Sequence, residues 1–481
     1  MRRLELAAIL FLIFLTFITR FYKIGSPVAD WHSWRQVDTS SVSRNFVEKG
    51  FDLLHPTYHD LSNIPSGKDN PMGYRFVEFP LFNIVQAGLY NISNFGTIEA
   101  WGRLTSVLAS VSAVIFIYLI VRRYEKFYEA FFTSFYYAVI PFSVYYGRAI
   151  LPEQAMVASI LGGIYFFDIS LNQESIKKMY LWLFIAFVFI ASAILIKPYA
   201  LLFTLPIFYI SWKKYGFKLL FHWKLWLMAF FCLLPFALWR LWMLQYPEGI
   251  PVSNWLFNGG DIRFKGAFFY WIFADRISRL ILGYWGVAIL IIGILSCSVK
   301  DNIKKSGLFF YTFLTSSLLY LFVIARGNVQ HDYYQTLIIP TISIFLGIGS
   351  ARLINLPKDL GNRNLSRLIW LFITAFTLGF GWYFIRDYYN INNSSIITAG
   401  QAADKILPKN AKVIAPYEGD TTFLYHTKRS GWPSFQNPIP ELINKGATHL
   451  ILLNPTENNY EFARIYPVVS ESKEYIIFKL R

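Results

Sequence analysis

Asp38 lies in the run His32-Ser33-Trp34-Arg35-Gln36-Val37-Asp38-Thr39, soon after the first apolar segment of the chain. Glu153 closes Gly147-Arg148-Ala149-Ile150-Leu151-Pro152-Glu153, a very short turn between two further apolar runs. An ionisable residue at a membrane boundary is costly to keep there, so both mark a candidate site. Each has an arginine a few residues upstream, Arg35 and Arg148, and the pattern fits a site for a cation, a phosphate or both. Asp38 can serve as a general base toward an acceptor hydroxyl or amine, given hydrogen-bond reach and the pKa tuning of partial burial. Read locally, it is an N-cap ahead of Thr39-Ser40-Ser41-Val42. Glu153 follows Pro152, a good first-turn residue, and the helix dipole favours an acid there. Its chemical alternative is to orient the acceptor or bind metal. Asp38 and Glu153 are both candidate ligands for a hard divalent cation, which takes carboxylate oxygens and offsets phosphate charge. Asp30 and His32 are weaker candidates for the base, and His32 also for substrate binding. Arg35 and Arg44 are expected to pair with a phosphate, with Asp38 or with an ordinary carboxylate.

Two more outer turns carry suitable groups. Lys197, in Ile196-Lys197-Pro198-Tyr199, is a lone cation between apolar runs. It can hold a lipid phosphate as a point charge or snorkel to the headgroups. The turn Arg326-Gly327-Asn328-Val329-Gln330-His331-Asp332-Tyr333-Tyr334 is dense in donors and rings. There Arg326 and His331 suit phosphate, Tyr333 and Tyr334 suit a sugar, and the plain reading is an interfacial aromatic belt. No Walker loop, dinucleotide glycine fingerprint, Cys-x-x-Cys pair or His-Glu-x-x-His occurs. A donor activated by a lipid phosphate and delivered through the membrane therefore fits better than a nucleotide-activated one.

The elements that must position these groups are membrane helices. Of 481 residues, 55% are hydrophobic, 19% aromatic and only 15% charged, against about a quarter charged in soluble domains. The net charge of +16 sits mostly in short loops between apolar runs. It therefore sets topology rather than binding nucleic acid. Cys232 and Cys297 fall inside apolar runs and read as small buried hydrophobes. Apolar length predicts about eleven transmembrane helices, at 4–22, 104–121, 128–146, 154–171, 180–196, 199–212, 224–243, 280–298, 307–325, 336–353 and 368–386. With the N-terminus inside, the inside loops hold Arg2, Arg3, Arg122, Arg123, Lys126, Lys177, Lys178, Lys213, Lys214, Lys218, Lys224, Lys300, Lys304, Lys305, Arg352, Lys358, Arg363 and Arg367. The short outside turns hold one basic residue each, Arg148, Lys197 and Arg326, so an odd number of spans and an outer C-terminus follow. The expected architecture is a membrane part, 1–387, including a long first outer loop at 23–103, followed by a small α/β outer-face domain at 388–481. That loop contains an amphipathic stretch at 76–95 suited to the membrane surface. In the tail, β-rich runs occur at 412–415, 449–453 and 475–480, and helix-like runs at 395–406 and 439–446.

One span, a long outer loop with an acid, a second acid in a short turn, a Lys-Pro turn and a late His-x-Tyr-Tyr turn form a recognisable order. Together they resemble the bacterial polyprenyl-phosphate-sugar-dependent glycosyltransferases of the GT-C superfamily, relatives of protein O-mannosyltransferases and of aminoarabinose transferase. The most specific match is His-Ser-Trp-Arg-Gln-Val-Asp-Thr with Ser43-Arg44-Asn45-Phe46, and the resemblance covers about 1–386. Many relatives carry an adjacent Asp-Glu pair where this chain has Asp38-Thr39. The resemblance implies an inverting transfer at the outer face of the plasma membrane, with Asp38 as base and Glu153 as second acid. Lys197 and the 326–334 turn would line the lipid-phosphate side. It further implies a polyprenyl-phosphate sugar donor, a protein, glycolipid or envelope-glycan acceptor, and a divalent metal as the sole candidate cofactor. A flippase of lipid-linked glycans is the alternative from another class. It would put charges mid-membrane, whereas Asp168 and Arg240 lie near span ends. A polymerase or ligase of lipid-linked glycans would centre on basic residues in late loops.

Overall fold

The computed structural model describes residues 3–93, 95–298, 307–357 and 360–481. Arg2, Lys300, Lys304, Lys305 and Lys358 of the charge pattern, and Asn94 of the amphipathic stretch, lie outside them. The chain forms two compact units: 1–24, 104–237 and 253–387 make up the first, and 25–103, 238–252 and 388–481 the second. The loop at 25–103 and the tail from 388 thus belong to one unit.

The described part of each of the eleven apolar runs is largely helical. Among the described residues six helices are long and apolar enough to cross a membrane: Ile98–Tyr124, Glu153–Leu171, Ile176–Ile196, Trp223–Met243, Asp332–Ile354 and Arg363–Tyr389. The bent pair Gly266–Ile281 and Gly286–Cys297, at 109°, makes a seventh if counted as one span. The expected eleven exceed this count because several runs are short or broken. The run at 128–146 splits into Phe127–Val139 and Pro141–Tyr146, with Ile140 extended at ψ 121°. Lys197 likewise takes φ −147°, ψ 121° before Pro198 and ends the helix Ile176–Ile196. In both places the proline ring excludes the residue before it from the helical region. The 199–212 run is a 3₁₀ turn, Pro198–Thr204, leading into Leu205–Tyr215.

Within this first unit, Gly162 and Gly163 let the helices Glu153–Leu171 and Ile176–Ile196 approach closely. A Cβ at either would come within 2.6 Å of the Phe189 or Ile190 side chain, the small-residue contact typical of membrane helices. The core of Asp332–Ile354 is 83% buried and that of Trp223–Met243 only 11%. The outer helices expose leucine, phenylalanine and tryptophan, a surface that hydrocarbon rather than water would cover.

The second unit is built on a five-stranded sheet. Its strands are β1 (Lys412–Ile414), β2 (Ser430–Trp432), β3 (His449–Leu453), β4 (Val468–Glu471) and β5 (Tyr475–Lys479), in spatial order β2-β1-β3-β5-β4. β1 pairs in parallel with β2 and β3, whereas β3/β5 and β4/β5 are antiparallel. Alternate residues of one strand face opposite cores. Val413 and Ile477 join Ala399 and Phe423, while Ile414 and Ile476 join Trp432 and Leu442. Helices Ser395–Ile406 and Ile439–Asn444 stand where the sequence predicts them. The free edge of β2 is covered by the loop at 59–61. Gly431 N donates to His59 O at 2.9 Å, and Leu61 N donates to Gly431 O at 2.8 Å, which protects an otherwise open sheet edge. The amphipathic stretch becomes helix Leu81–Ser93. It turns Asn83 and Gln86 inward onto Ser43 and Ser40 and leaves Val85 and Ile92 exposed, so its outward face is apolar, as a helix lying in a membrane surface requires.

Candidate active site

The helix Ser33–Lys49 carries Asp38. It is rich in polar side chains, and all but one of the residues 33–46 are buried, Trp34 being half-buried. Such a helix is sustained only by tertiary partners for its polar groups. The helix starts earlier than the local signal indicates. His32 holds the N-cap position in the left-handed region at φ 53°, so Asp38 sits in the second turn and is not an N-cap. Its carboxylate is 5% exposed. Oδ2 pairs with Arg75 Nη2 at 2.7 Å, and Oδ1 accepts the Thr421 hydroxyl at 2.7 Å. The Arg75 guanidinium lies 4.9 Å over the Tyr58 ring. The Tyr58 hydroxyl donates to Asp60 Oδ2 at 3.3 Å, and Ser62 N donates to Asp60 Oδ1 at 2.8 Å. Burial pushes the Asp60 carboxyl up to about 6, with the charge of Asp38 adding and the Ser62 hydrogen bonds opposing. Burial also raises Asp420, again with Asp38 adding to the effect.

The other first-loop candidates have protein partners. Arg35 pairs with Glu78. Arg44 pairs with Glu99 at 2.7 Å, donates to Tyr425 O at 2.9 Å and stacks 3.7 Å over the Tyr425 ring. The Tyr425 hydroxyl donates to Glu99 at 2.6 Å, so Arg44 clamps the sheet domain to the Asp38 helix. Asp30 accepts from Gln36 Nε2 at 2.8 Å and lies 3.8 Å from Arg103. His32 packs against Trp31, ring centroids 5.1 Å apart.

In the first unit, Glu153 opens the helix Glu153–Leu171 directly after Pro152. Its Oε1 lies 3.0 Å from Lys197 Nζ, and both side chains are buried. Glu153 Oε2 is buried with no hydrogen-bond partner among the described residues. Such an orphaned oxygen is expensive unless a further proton or ligand reaches it. The Lys197-Pro198 break also positions Tyr199. Its ring stands 6.0 Å from that of Tyr334, which is 4.8 Å from Tyr333, and His331 stacks on Tyr333 at 5.6 Å. Asp332 Oδ1 accepts the Tyr146 hydroxyl at 2.5 Å. The structure thus brings Lys197, Glu153 and the Tyr333-Tyr334 end of the late turn into one cluster. Arg326 is half-buried, and no hydrogen bond or ion pair holds its guanidinium among the described residues. Arg148 donates to Lys23 O at 3.2 Å and lies 5.3 Å over the Tyr145 ring.

A family model for dolichyl-phosphate-mannose-protein mannosyltransferases matches residues 77–242. The fold matches ArnT from Cupriavidus metallidurans bound to undecaprenyl phosphate, with 12% identity, TM-score 0.68, and 98% of this chain and 97% of that chain covered. It also matches the Archaeoglobus fulgidus oligosaccharyltransferase complexed with Zn and sulfate (10%, 0.60, 95% and 69%). A third match is AglB from Archaeoglobus fulgidus in complex with an inhibitory peptide and a dolichol-phosphate (10%, 0.59, 96% and 71%). No curated protein matches the chain in sequence. Over nearly its whole length the chain shares the fold of these proteins, and residues 77–242 match the mannosyltransferase family model.

Asp38 is buried and held at both carboxylate oxygens. A resident metal fits the residues less well. Asp38 faces a guanidinium and a hydroxyl, and Glu153 faces an ammonium. Among the described residues no group of three or more His, Cys, Asp or Glu is placed to hold an ion. The expected metal-ligand role of Asp38 and Glu153 therefore finds no donor set among the described residues. Arg75, Tyr58, Asp60, Asp420 and Thr421 escape the sequence reading. Tyr58-His59-Asp60 offers a weak local signal, but Thr421 lies 383 residues from Asp38, and nothing in the spacing joins them.

Proposed function

We propose that this protein is an integral-membrane inverting glycosyltransferase with its N-terminus cytoplasmic and its 388–481 domain at the outer face. It moves a sugar from a polyprenyl-phosphate donor to a hydroxyl or amine of a protein, glycolipid or envelope-glycan acceptor. Two of the fold neighbours were solved with a polyprenyl-type phosphate, undecaprenyl phosphate in one and dolichol-phosphate in the other, which supports the donor class. Asp38 takes the acceptor's proton, the acceptor oxygen or nitrogen attacks the anomeric carbon, and the bond from that carbon to the phosphate oxygen breaks. Polyprenyl phosphate leaves with its charge balanced by cations. Lys197 and Arg326 supply that charge, with His331 as a further donor. Tyr333 and Tyr334 offer rings to the sugar, and Glu153 tethers Lys197.

The observation that carries this reading is the anchoring of Asp38. A buried carboxylate whose two oxygens are held by Arg75 and Thr421 is oriented as a general base must be. The test is transfer from synthetic polyprenyl-phosphate sugars by purified protein, comparing wild type with Asp38→Asn. Asn keeps the size but cannot take the proton, so the rate falls by about 10²–10⁴. An equally active, folded Asp38→Asn protein would move the base to Asp30, His32 or Glu153.

A further inference from the structure

The strongest observation outside this assignment is a hydroxyl supplied by the C-terminal domain. Thr421 stands at the N-cap of the helix Thr422–His426, where a threonine ordinarily accepts a backbone N–H from the first turn. Here no such bond forms. The hydroxyl instead donates to Asp38 Oδ1 at 2.7 Å. The local capping role has given way to a tertiary bond across 383 residues of sequence.

The turn before Thr421 is built to place that hydroxyl. Tyr417 N and Gly419 N both donate to Pro433 O, at 2.9 and 3.1 Å, and Asp420 N donates to Tyr417 O at 2.8 Å. Glu418 and Gly419 take the left-handed region, at φ 52° and 83°, which reverses the chain toward the Asp38 helix. Asp420 Oδ1 accepts Thr422 N at 2.7 Å, and the Thr422 hydroxyl donates to Ser33 Oγ at 3.0 Å. The backbone on both sides of Thr421 is therefore tied down.

An aspartate's last torsion is broad and roughly two-fold. Arg75 fixes one oxygen of Asp38, and the carboxylate plane can still swing about that contact. A second bond at the other oxygen fixes the plane and with it the direction of the lone pairs left for an incoming proton. We infer that Thr421 is a positioning residue for Asp38, so that the C-terminal domain completes the base of the transfer reaction rather than merely covering it. This rests on the assignment of Asp38 as base.

The experiment compares full-length wild type with Thr421→Val, Thr421→Ser and Asp38→Asn in detergent, using the same polyprenyl-phosphate sugar and acceptor on which wild type turns over. Val keeps the shape and removes the hydroxyl. The expected result is a fall of roughly tenfold in kcat, the scale of one bond to a charged group, with KM for donor and acceptor unchanged and Ser restoring the rate. A general loss of structure would instead lower the unfolding temperature and would not be rescued selectively in kcat. Where Val fails to fold, Ala against Ser gives the same comparison. Wild-type kcat in the Val or Ala protein, beside an inactive Asp38→Asn, overturns the inference while leaving the base intact. An active Asp38→Asn overturns the base assignment and the inference with it.

Discussion

Asp60 gives a sharp test of the electrostatics around Asp38. Its carboxyl is 2% exposed, within reach of the Tyr58 hydroxyl and Ser62 N, and its pKa is raised from 3.8 to about 6 by burial first of all. The sign follows from proton linkage. Below about 3.8 the acid is protonated both folded and unfolded and contributes nothing. Between about 3.8 and 6 the folded state holds more protons than the unfolded, so stability falls as pH rises. Above about 6 the full penalty stands. A displacement of about two units at 1.36 kcal/mol each amounts to about 3 kcal/mol. Asn at this position keeps the shape, its oxygen can accept from Ser62 N, and its amide can donate to the Tyr58 hydroxyl. Asp60→Asn should therefore unfold a few degrees higher than wild type at pH 7.5, with the gap closing toward pH 5. Intrinsic-fluorescence melting of the detergent-solubilised protein across pH 5–8 measures this. A variant that is less stable than wild type at pH 7.5, or a gap that does not change with pH, would show that Asp60 is held charged and refute the reasoning.

Removing Arg75 should be costly in a way that its neighbours are not. Arg75→Met leaves Asp38 as an uncompensated buried charge, so the second unit should lose about 3–5 kcal/mol and activity should vanish. Chemical denaturation and the transfer assay read these together, and an active, fully stable Arg75→Met would refute the pairing. Lys197→Met should raise KM for the lipid-phosphate donor at least tenfold, with Lys197→Arg intermediate, because the site needs a cation more than a shape. A donor KM equal to wild type in Lys197→Met would remove Lys197 from the phosphate side.

The apolar runs and the basic loops are local properties that the sequence shows, and the break at Pro141 has a local cause although 128–146 reads as one run. Ile140-Pro141 and Lys197-Pro198 end helices because a ring clash with the preceding residue needs no tertiary partner. The helices Ser395–Ile406 and Ile439–Asn444 and three of the strands of the tail follow from periodicity, whereas Thr422–His426 and Glu457–Arg464 do not. The strands β2 and β4 do not, since Ser430-Gly431-Trp432 is interrupted by glycine and Val468–Glu471 holds only two apolar residues. The number of long membrane helices is likewise not a sum of apolar runs. Some runs are broken at a proline or a bend, whereas Trp223–Met243 runs through Pro235 unbroken. Asp38, Glu153 and Lys197 stand out in the sequence because charge amid apolar residues is conspicuous. Their partners do not. Arg75 lies in a loop of ordinary composition, and Thr421 carries the local signature of a helix cap. Only the folded chain shows that its hydroxyl serves Asp38 instead. A hydrogen bond between residues 383 apart depends on where two backbones come to rest, and that is decided by the packing of the whole unit.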